Sequence, residues 1–168
     1  RTDHVAEWAS EEILTRGKVT LNDFDFIAPK AELEATSAIK LGSHKYADFE
    51  VYDPPGHYRK EHNLGTKLAR VRMEAEAVRY QRYRGAGNVR TLGVGYTFKL
   101  KDHPEKAVNK EYLVTEAVHF FQVSTDFNQS EMRHDLDSPN IDFPEELEGD
   151  AYACTFGTIS KQEQFRAP

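Results

Sequence analysis

The sequence has little that would fix a fold by covalent bonds or hold it in a membrane. Its single cysteine, Cys154, cannot form a disulfide within the chain, which suits assembly in a reducing compartment. No apolar run approaches the roughly 18 residues that cross a bilayer, so we expect no membrane span by this chain alone. The chain begins at Arg1, without a methionine or a charged-then-apolar leader. We therefore expect a piece cut or processed from a longer protein.

The composition predicts one globular, water-soluble domain. Hydrophobic residues make up 39% and charged residues 30% of the 168 positions, and a chain of this length buries roughly 68–70% of its unfolded surface. The charge is uneven, because residues 126–150 hold nine acidic side chains and one base, Arg133. This segment carries −8, so the remaining residues carry +2 of the total of −6. A general affinity for nucleic acid is not predicted from these charges.

Alternation of apolar and polar side chains predicts about six strands. Val19 and Leu21 share one face, and Phe24 and Phe26 follow on the opposite parity after a bulge or bend. Further strands are predicted at 33–39, 49–52, 92–100, 112–123 and 152–158. The segment 112–123 is apolar on both parities, as in a strand covered on both faces. Residues 3–14 fit either a helix or an extended segment.

A single helix is predicted over residues 64–84. Its apolar stripe consists of Leu64, Leu68, Val71, Ala75 and Val78. Gly85 would end it in the left-handed conformation. The other sides carry Lys67, Arg70, Arg72, Arg79, Arg82 and Arg84. These bases could form a nucleic-acid or acidic-partner surface, but we favour arginines that pair with local carboxylates, since no second basic element or RNA-stacking motif accompanies them.

Histidine groups do not reach the spacing of a metal site. His57, Glu61 and His62 follow a Pro-Pro-Gly turn with the spacing H-x-x-x-E-H, whereas helical zinc motifs require H-E-x-x-H or H-x-x-E-H. We predict no metal ligand and no cofactor-binding residue in this chain.

The remaining histidines have structural explanations. His119 is expected to be a hydrogen-bonded core or interface residue, because it lies in the doubly apolar strand. His103 precedes Pro104, where a turn role is expected, and His134 lies in the acidic segment, where we expect it to be solvated.

Nucleophilic catalysis is not predicted either. The sequence contains no G-x-S-x-G elbow, and Cys154 lies in mid-strand without a basic helix end to lower its pKa. Gly85 and Gly87 lack the third glycine and the preceding strand of a phosphate loop. We therefore predict no catalytic residue, and a hydrolase built on His57, Glu61 or the acidic segment remains a rival hypothesis.

Six segments, taken in order, resemble the valine-glycine repeat (VgrG) spike proteins of bacterial type VI secretion. They are GKVTLNDFDF at 17–26 with Pro29, FEVYDPPGHY at 49–58, LARVRME at 68–74, GAGNVR at 85–90 with LKDHP at 100–104, NKEYLVT at 109–115 with His119, and a closing set of Tyr152, Phe156, Ile159, Phe165 and Arg166. The sequence departs from the family at Val94, where proline is usual, and in the long acidic connection 126–150.

The resemblance implies an α+β fold that is mainly antiparallel β. We expect a phage tail hub or tube-like β-barrel with one long amphipathic helix and a small helical appendage. Residues 1–16 would be a linker or part of an upstream domain, and 17–168 the hub-like region. Within it, 54–88 would be a helical insertion and 126–150 an acidic loop.

The implied function is a non-enzymatic part of the cell-puncturing spike, in a trimeric hub that joins the Hcp tube to the needle. The implied partners are two further copies of the chain, the Hcp hexamer, and effector or adaptor proteins, with neither nucleic acid nor stable membrane insertion. Assembly in the bacterial cytoplasm would precede export. We expect interface residues on the helix and on the segment 92–100. The alternative is a basic-helix module for nucleic acid or an acidic partner.

Overall fold

The computed structural model describes residues 2–58, 61–121 and 151–166, in which the fold is mainly antiparallel β with one α-helix. The strands are β1 (Val5–Glu12), β2 (Lys18–Leu21), β3 (Ala35–Ala38), β4 (Glu50–Asp53), β5 (Gln81–Gly87), β6 (Thr97–Lys99), β7 (Glu111–Phe121) and β8 (Tyr152–Ser160). Helix α1 (His62–Val78) lies between β4 and β5, and Lys106–Val108 forms a 3-10 turn. The acidic segment 126–150 lies outside the described residues.

The chain divides into two compact units. The first unit comprises the described residues within Arg1–Ser10 and Tyr83–Ser160, and the second unit those within Glu11–Arg82 and Lys161–Pro168. Within the described part of the chain, no helix is long and apolar enough to cross a membrane.

The first unit is built on a five-stranded sheet with the order β1-β5-β8-β7-β6. Strand β8 is antiparallel to both β5 and β7, which places Phe156 opposite Gly85 on one side and Ala117 on the other. A bulge shifts the register of β7 between Val114 and Glu116. The predicted strands near 112 and 152 therefore pair with each other.

Aromatic rings fill the core of the first unit. Trp8 lies 4.7 Å from Tyr112 and 5.7 Å from Tyr83, measured between ring centroids. The rings of Phe98 and Phe156 each lie 6.2 Å from that of Trp8. The ambiguous segment 3–14 is thus extended, and its tryptophan is the centre of this cluster.

Strand β8 confirms the alternation that the sequence shows and adds a second buried face. The predicted face is buried at Tyr152, Cys154, Phe156 and Thr158. On the opposite face, Ala153 and Ile159 are also almost without solvent contact. Strand β7 is less covered than predicted: Tyr112 and Val114 are buried, but Glu116, His119 and Phe121 are exposed.

The predicted strand over 92–100 is wrong for most of its length. Only Thr97–Lys99 forms a regular strand, because Gly95 has a φ of +86° and the chain turns there. A Cβ at Gly95 would meet nothing within 4 Å, so this glycine serves the turn and does not admit a close neighbour. Close contacts at a glycine occur instead within the sheet, for example at Gly85, where a Cβ would overlap the ring of Phe156.

The second unit has a three-stranded sheet with the order β3-β2-β4. Strand β2 is antiparallel to β3 and parallel to β4. The core contains Val19, Leu21, Leu33, Ala35, Leu41, Tyr58, Ala69 and Met73. The predicted strands near 19, 35 and 51 are confirmed.

Tyr58 occupies the centre of this second core, and glycines make room for it. Its side chain is 2% exposed, and its hydroxyl donates to the carbonyl oxygens of Leu33 and Leu21 (3.2 Å for Leu21). A Cβ at Gly56 or Gly65 would overlap the tyrosine ring. Helix α1 therefore presents a glycine to the ring.

Helix α1 differs from the prediction in its end and in its buried face. It ends at Val78 instead of Arg84, and the glycine at position 85 belongs to β5. The buried residues are Gly65, Ala69, Met73 and Val78, whereas Leu64 and Val71 of the predicted stripe are exposed. Gly65 and Ala69 face the core because small residues let the helix lie close to Tyr58. After position 80 the chain pairs with β8, and this pairing outweighs the helix propensity of the residues.

Candidate interaction surfaces

The side chains of His57, Glu61 and His62 do not come together as a metal site. His57 is exposed with a φ of +60°, and Glu61 precedes the first turn of α1. His62 Nε2 lies 3.1 Å from the carbonyl oxygen of Glu34. Across residues 2–58, 61–121 and 151–166, no group of three histidine, cysteine or acidic residues is placed to hold a metal ion.

Two other histidines have the structural partners expected of them. His103 is part of a turn, in which its Nδ1 accepts from the backbone N–H of Glu105 (3.1 Å). His119 Nδ1 lies 2.7 Å from the hydroxyl of Tyr152. This confirms the expected hydrogen bond of His119, although its side chain is exposed and does not belong to the core. His134 lies outside the described residues.

Cys154 is placed for packing and not for nucleophilic attack. It is fully buried in β8, and its Sγ lies 3.5 Å from the carbonyl oxygen of Val89. Burial raises the pKa of the Cys154 thiol above its ordinary value. Because the thiolate is the reactive form, this environment disfavours its chemistry.

Several basic residues of the predicted helix pair with carboxylates. Lys67, Arg70 and Arg72 lie in α1, Arg79 follows its last residue, and Arg82 and Arg84 lie in β5. Arg72 binds Asp53. Glu74 accepts from Arg166 Nε at 2.7 Å and lies 3.7 Å from Arg70. These local pairs are the arrangement favoured from the sequence, in which arginines cover the surface of their own unit.

Two exposed apolar side chains mark the turn before β6 in the first unit. Val94 is 58% and Tyr96 is 74% exposed. The turn is held to β7, because Gly95 N–H donates to the carbonyl of Val114 and Val114 N–H donates to that of Tyr96, both at 2.9 Å. The expected interface through residues 92–100 stays a prediction. Its exposed residues lie in a turn instead of a strand.

The first unit also has an open cleft of about 860 Å³ against its sheet. Its charged lining residues are Glu7, Arg84 and Glu116, and the others are mainly small or apolar. Such a face provides contact area, and its lining brings together no nucleophile with a base.

In the second unit, the loop after β2 is exposed and apolar, which the sequence reading missed. We define the apolar loop as residues 22–29. Phe24 and Phe26 were predicted to continue the strand, but β2 ends at Leu21. The carboxylates of Asp23 and Asp25 accept backbone N–H groups of the loop (both 2.9 Å), and so compete with strand pairing. The alternating aspartates were the signal available in the sequence.

A groove lies between β4 and α1 in the same unit, with a volume of about 290 Å³. We define this α1–β4 groove by its lining residues Val19, Val51, Asp53, Arg72, Ala75, Glu76 and Arg79. Its apolar residues are Val19 and Val51 of the sheet and Ala75 of the helix. Ala75 belongs to the apolar stripe that was predicted to face the core. The second unit therefore has both a projecting apolar loop and an apolar depression.

Comparison with known proteins gives consistent matches. The 168-residue chain is 43% identical over 115 residues to the type VI secretion system spike protein VgrG1b of Pseudomonas aeruginosa. It is 40% identical to VgrG1a and 37% identical to VgrG1c of the same organism, again over 115 residues. Each match covers 68% of this chain, but only 15% to 18% of the relative. The chain thus spans less than a fifth of the curated relatives it matches.

A family comparison gives the wider relationship. The model of the phage tail baseplate hub (GPD) family matches residues 1–125, which include both units' first strands, helix α1 and β7. The resemblance to VgrG spike proteins seen in the sequence is confirmed by these matches. The chain belongs to the phage tail baseplate hub family and is VgrG-like within it.

Proposed function

We propose that this chain is a non-enzymatic structural part of a type VI secretion spike, acting as part of the hub that joins the Hcp tube to the needle. The observation that carries the proposal is the match of the baseplate hub family to residues 1–125. The relatives named as type VI secretion spike proteins share 37% to 43% identity with the chain.

The architecture suits a part that bears load. A sheet whose central strand pairs on both sides distributes force over many backbone hydrogen bonds. The five-stranded sheet would form part of a tube-like barrel in the assembled hub. In this proposal residues 17–168 are the hub-like region, with 54–88 as an insertion and 126–150 as an acidic loop.

The proposed partners follow from assembly. Three copies of the chain would form the hub, and the Hcp hexamer would dock on it. Effector or adaptor proteins would be carried by the same particle. Assembly would take place in the bacterial cytoplasm, and contraction would then export the spike into the target cell or the medium.

A chimera tests the proposal. The matching region of VgrG1b would be replaced by this chain, and export of the chimera and of Hcp would be measured in a strain without other spike proteins. We expect export to be retained. The control chimera carries Phe156→Ala, which removes a core ring and should reduce export by destabilising the sheet. A folded chimera that supports no export would contradict the proposed role.

The basic-helix alternative has a separate test. Salt-titrated binding of the 168-residue chain to duplex DNA should be weak, because Arg70 and Arg72 already face carboxylates. Tight binding with a steep salt dependence would favour the nucleic-acid module instead.

A further inference from the structure

The apolar loop exposes three large side chains in a defined conformation. Phe24 is 64%, Phe26 is 80% and Ile27 is 75% exposed. The hydrogen bonds from the backbone N–H groups of Phe24 and Ile27 to aspartate carboxylates hold the loop in shape. Adjacent exposed apolar side chains that are rimmed by polar groups mark interaction sites. An ordered loop also loses less conformational entropy when it binds.

The α1–β4 groove has the size and lining that accept one ring of this kind. Val19, Val51 and Ala75 supply its apolar surface, and its volume is about 290 Å³. An engineered apolar cavity of about 150 Å³ already binds benzene. One phenyl ring therefore fits, with room for the backbone that carries it.

The charges around the two features are complementary in sign. The loop brings the carboxylates of Asp23 and Asp25 next to its rings. The guanidinium groups of Arg72 and Arg79 line the groove, and that of Arg16 lies 3.6 Å from Glu76. Counted with the groove carboxylates of Asp53 and Glu76, these three bases leave a net charge of +1. Arg72 is paired with Asp53, whereas Glu76 is shared by Arg16 and Arg79. The excess positive charge therefore lies at the Glu76 end of the groove, where it attracts a loop with two aspartates.

We propose that the apolar loop of one copy of this chain docks into the α1–β4 groove of a second copy, with the ring of Phe26 as the anchor. The inference rests on the proposed function, in which copies of the chain assemble. The contact joins two different surfaces, so it is head-to-tail and closes into a ring when the rotation between copies allows it. An anionic lipid surface is disfavoured as the occupant, because the two aspartates would be repelled by the headgroups.

Cysteine cross-linking tests the contact in the 168-residue chain. Ala28→Cys, an exposed loop position that leaves the Phe26 ring in place, is made in one preparation and Ala75→Cys in another, and both are mixed and treated with a short bismaleimide. The native Cys154 is buried and gives a low background. We expect a cross-linked dimer in the mixture and no dimer when either variant is treated alone. The control replaces Ala28→Cys by Tyr96→Cys, at an exposed position of the first unit, and should give no dimer.

A double-mutant cycle provides a second, independent measurement. Asp25→Asn keeps an acceptor for the Ile27 N–H but removes the charge, and in a chain that carries Ala28→Cys it should reduce cross-linking to the Ala75→Cys chain. Arg79→Gln in the latter should then cause little further reduction. A smaller effect of each substitution in the presence of the other supports the assigned partners, and additive effects, or no effect of either substitution, overturn the assignment.

The other outcomes are equally decisive. A dimer from Ala28→Cys alone would overturn the head-to-tail arrangement. Co-flotation of the chain with anionic vesicles, lost in Phe26→Ser, would assign the loop to lipid. If no dimer forms while the chimera with VgrG1b is still exported, the docking surfaces are wrong and the proposed hub function stands. If both fail, the proposed function is overturned as well.

Discussion

The two units stabilise their cores in different ways. In the first unit, rings stack around Trp8 on one face of a five-stranded sheet. In the second, a helix lies on a three-stranded sheet through Gly65 and Ala69, with one fully enclosed ring, that of Tyr58. The first core depends on the volume of large side chains. The second depends on small side chains that permit a close approach.

This difference can be measured, because each unit has its own spectroscopic reporter. The chain has a single tryptophan, Trp8, which lies in the first unit. Helix α1 lies in the second unit and dominates the helical circular dichroism signal of the described residues. Tryptophan fluorescence and far-ultraviolet circular dichroism therefore follow the two cores separately.

The largest expected effect is alkaline unfolding of the first unit. Burial raises the pKa of Tyr112 and of Tyr152 from 10.0 to about 12. Because their folded pKa values exceed the unfolded value, their stabilising contribution is complete below pH 10 and is lost as the pH rises towards 12. Trp8 fluorescence and tyrosinate absorbance should change together in this window. Tyr152→Phe should flatten the pH dependence, and an unchanged profile would contradict the assignment.

Removal of a core ring should come next. Phe156→Ala is expected to lower the free energy of unfolding by about 3–5 kcal/mol, because the side chain is 3% exposed and contacts Trp8 and Phe98. Urea titration followed by tryptophan fluorescence measures the loss. The control, Phe26→Ala, removes a ring that is 80% exposed and should change stability by no more than about 0.5 kcal/mol. Equal effects would refute the placement of both rings.

Loss of the Tyr58 hydroxyl should destabilise the second unit. Tyr58→Phe leaves the buried carbonyl oxygens of Leu21 and Leu33 without this donor, at a cost of about 1–3 kcal/mol. The helical circular dichroism signal should report a lower urea midpoint. The control is Tyr96→Phe, since the ring of Tyr96 is 74% exposed. A neutral Tyr58→Phe would mean that water replaces the hydroxyl.

The smallest expected effect lies in the turn before β6. Gly95→Ala introduces a Cβ at a φ of +86°, which costs roughly 1–2 kcal/mol from backbone conformation alone, because no atom lies within 4 Å of the new group. Gly95→Asn should cost less, since asparagine tolerates positive φ. Thermal unfolding followed at Trp8 separates the two variants. An asparagine variant no better than alanine would point to a steric cause.

The periodicity of apolar side chains was enough to predict the elements whose buried faces follow that periodicity. The face of β8 with Tyr152, Cys154, Phe156 and Thr158 is buried as the alternation indicates. Helix α1 was also predicted from its period, but only part of its predicted stripe faces the core. Val78 is buried and Leu68 packs against the core, whereas Leu64 and Val71 are exposed. The larger apolar residues of the helix suggested the stripe, whereas the fit against Tyr58 requires Gly65. Steric fit between distant segments is not visible in a local pattern.

The interaction surfaces were harder to predict for a related reason. Alternation placed Phe24 and Phe26 on a strand, because sequence gives no measure of competition from Asp23 and Asp25 for backbone N–H groups. The groove combines side chains from β2, β4 and α1, and only the folded unit brings them together. The two aspartates could therefore indicate the apolar loop from the sequence, whereas the α1–β4 groove could be recognised only in the folded unit.

The order of strands in the first sheet has a consequence for synthesis on the ribosome. Strand β8 is the last of the described strands along the sequence, yet it is the middle one in the sheet, between β5 and β7. Until residues 152–160 have left the exit tunnel, the edges of β5 and β7 that will face β8 lack the strand that pairs with them in the folded sheet. Nascent chains must therefore keep these edges from pairing with one another, and a stop codon before Tyr152 should give an aggregating product rather than a shorter working one.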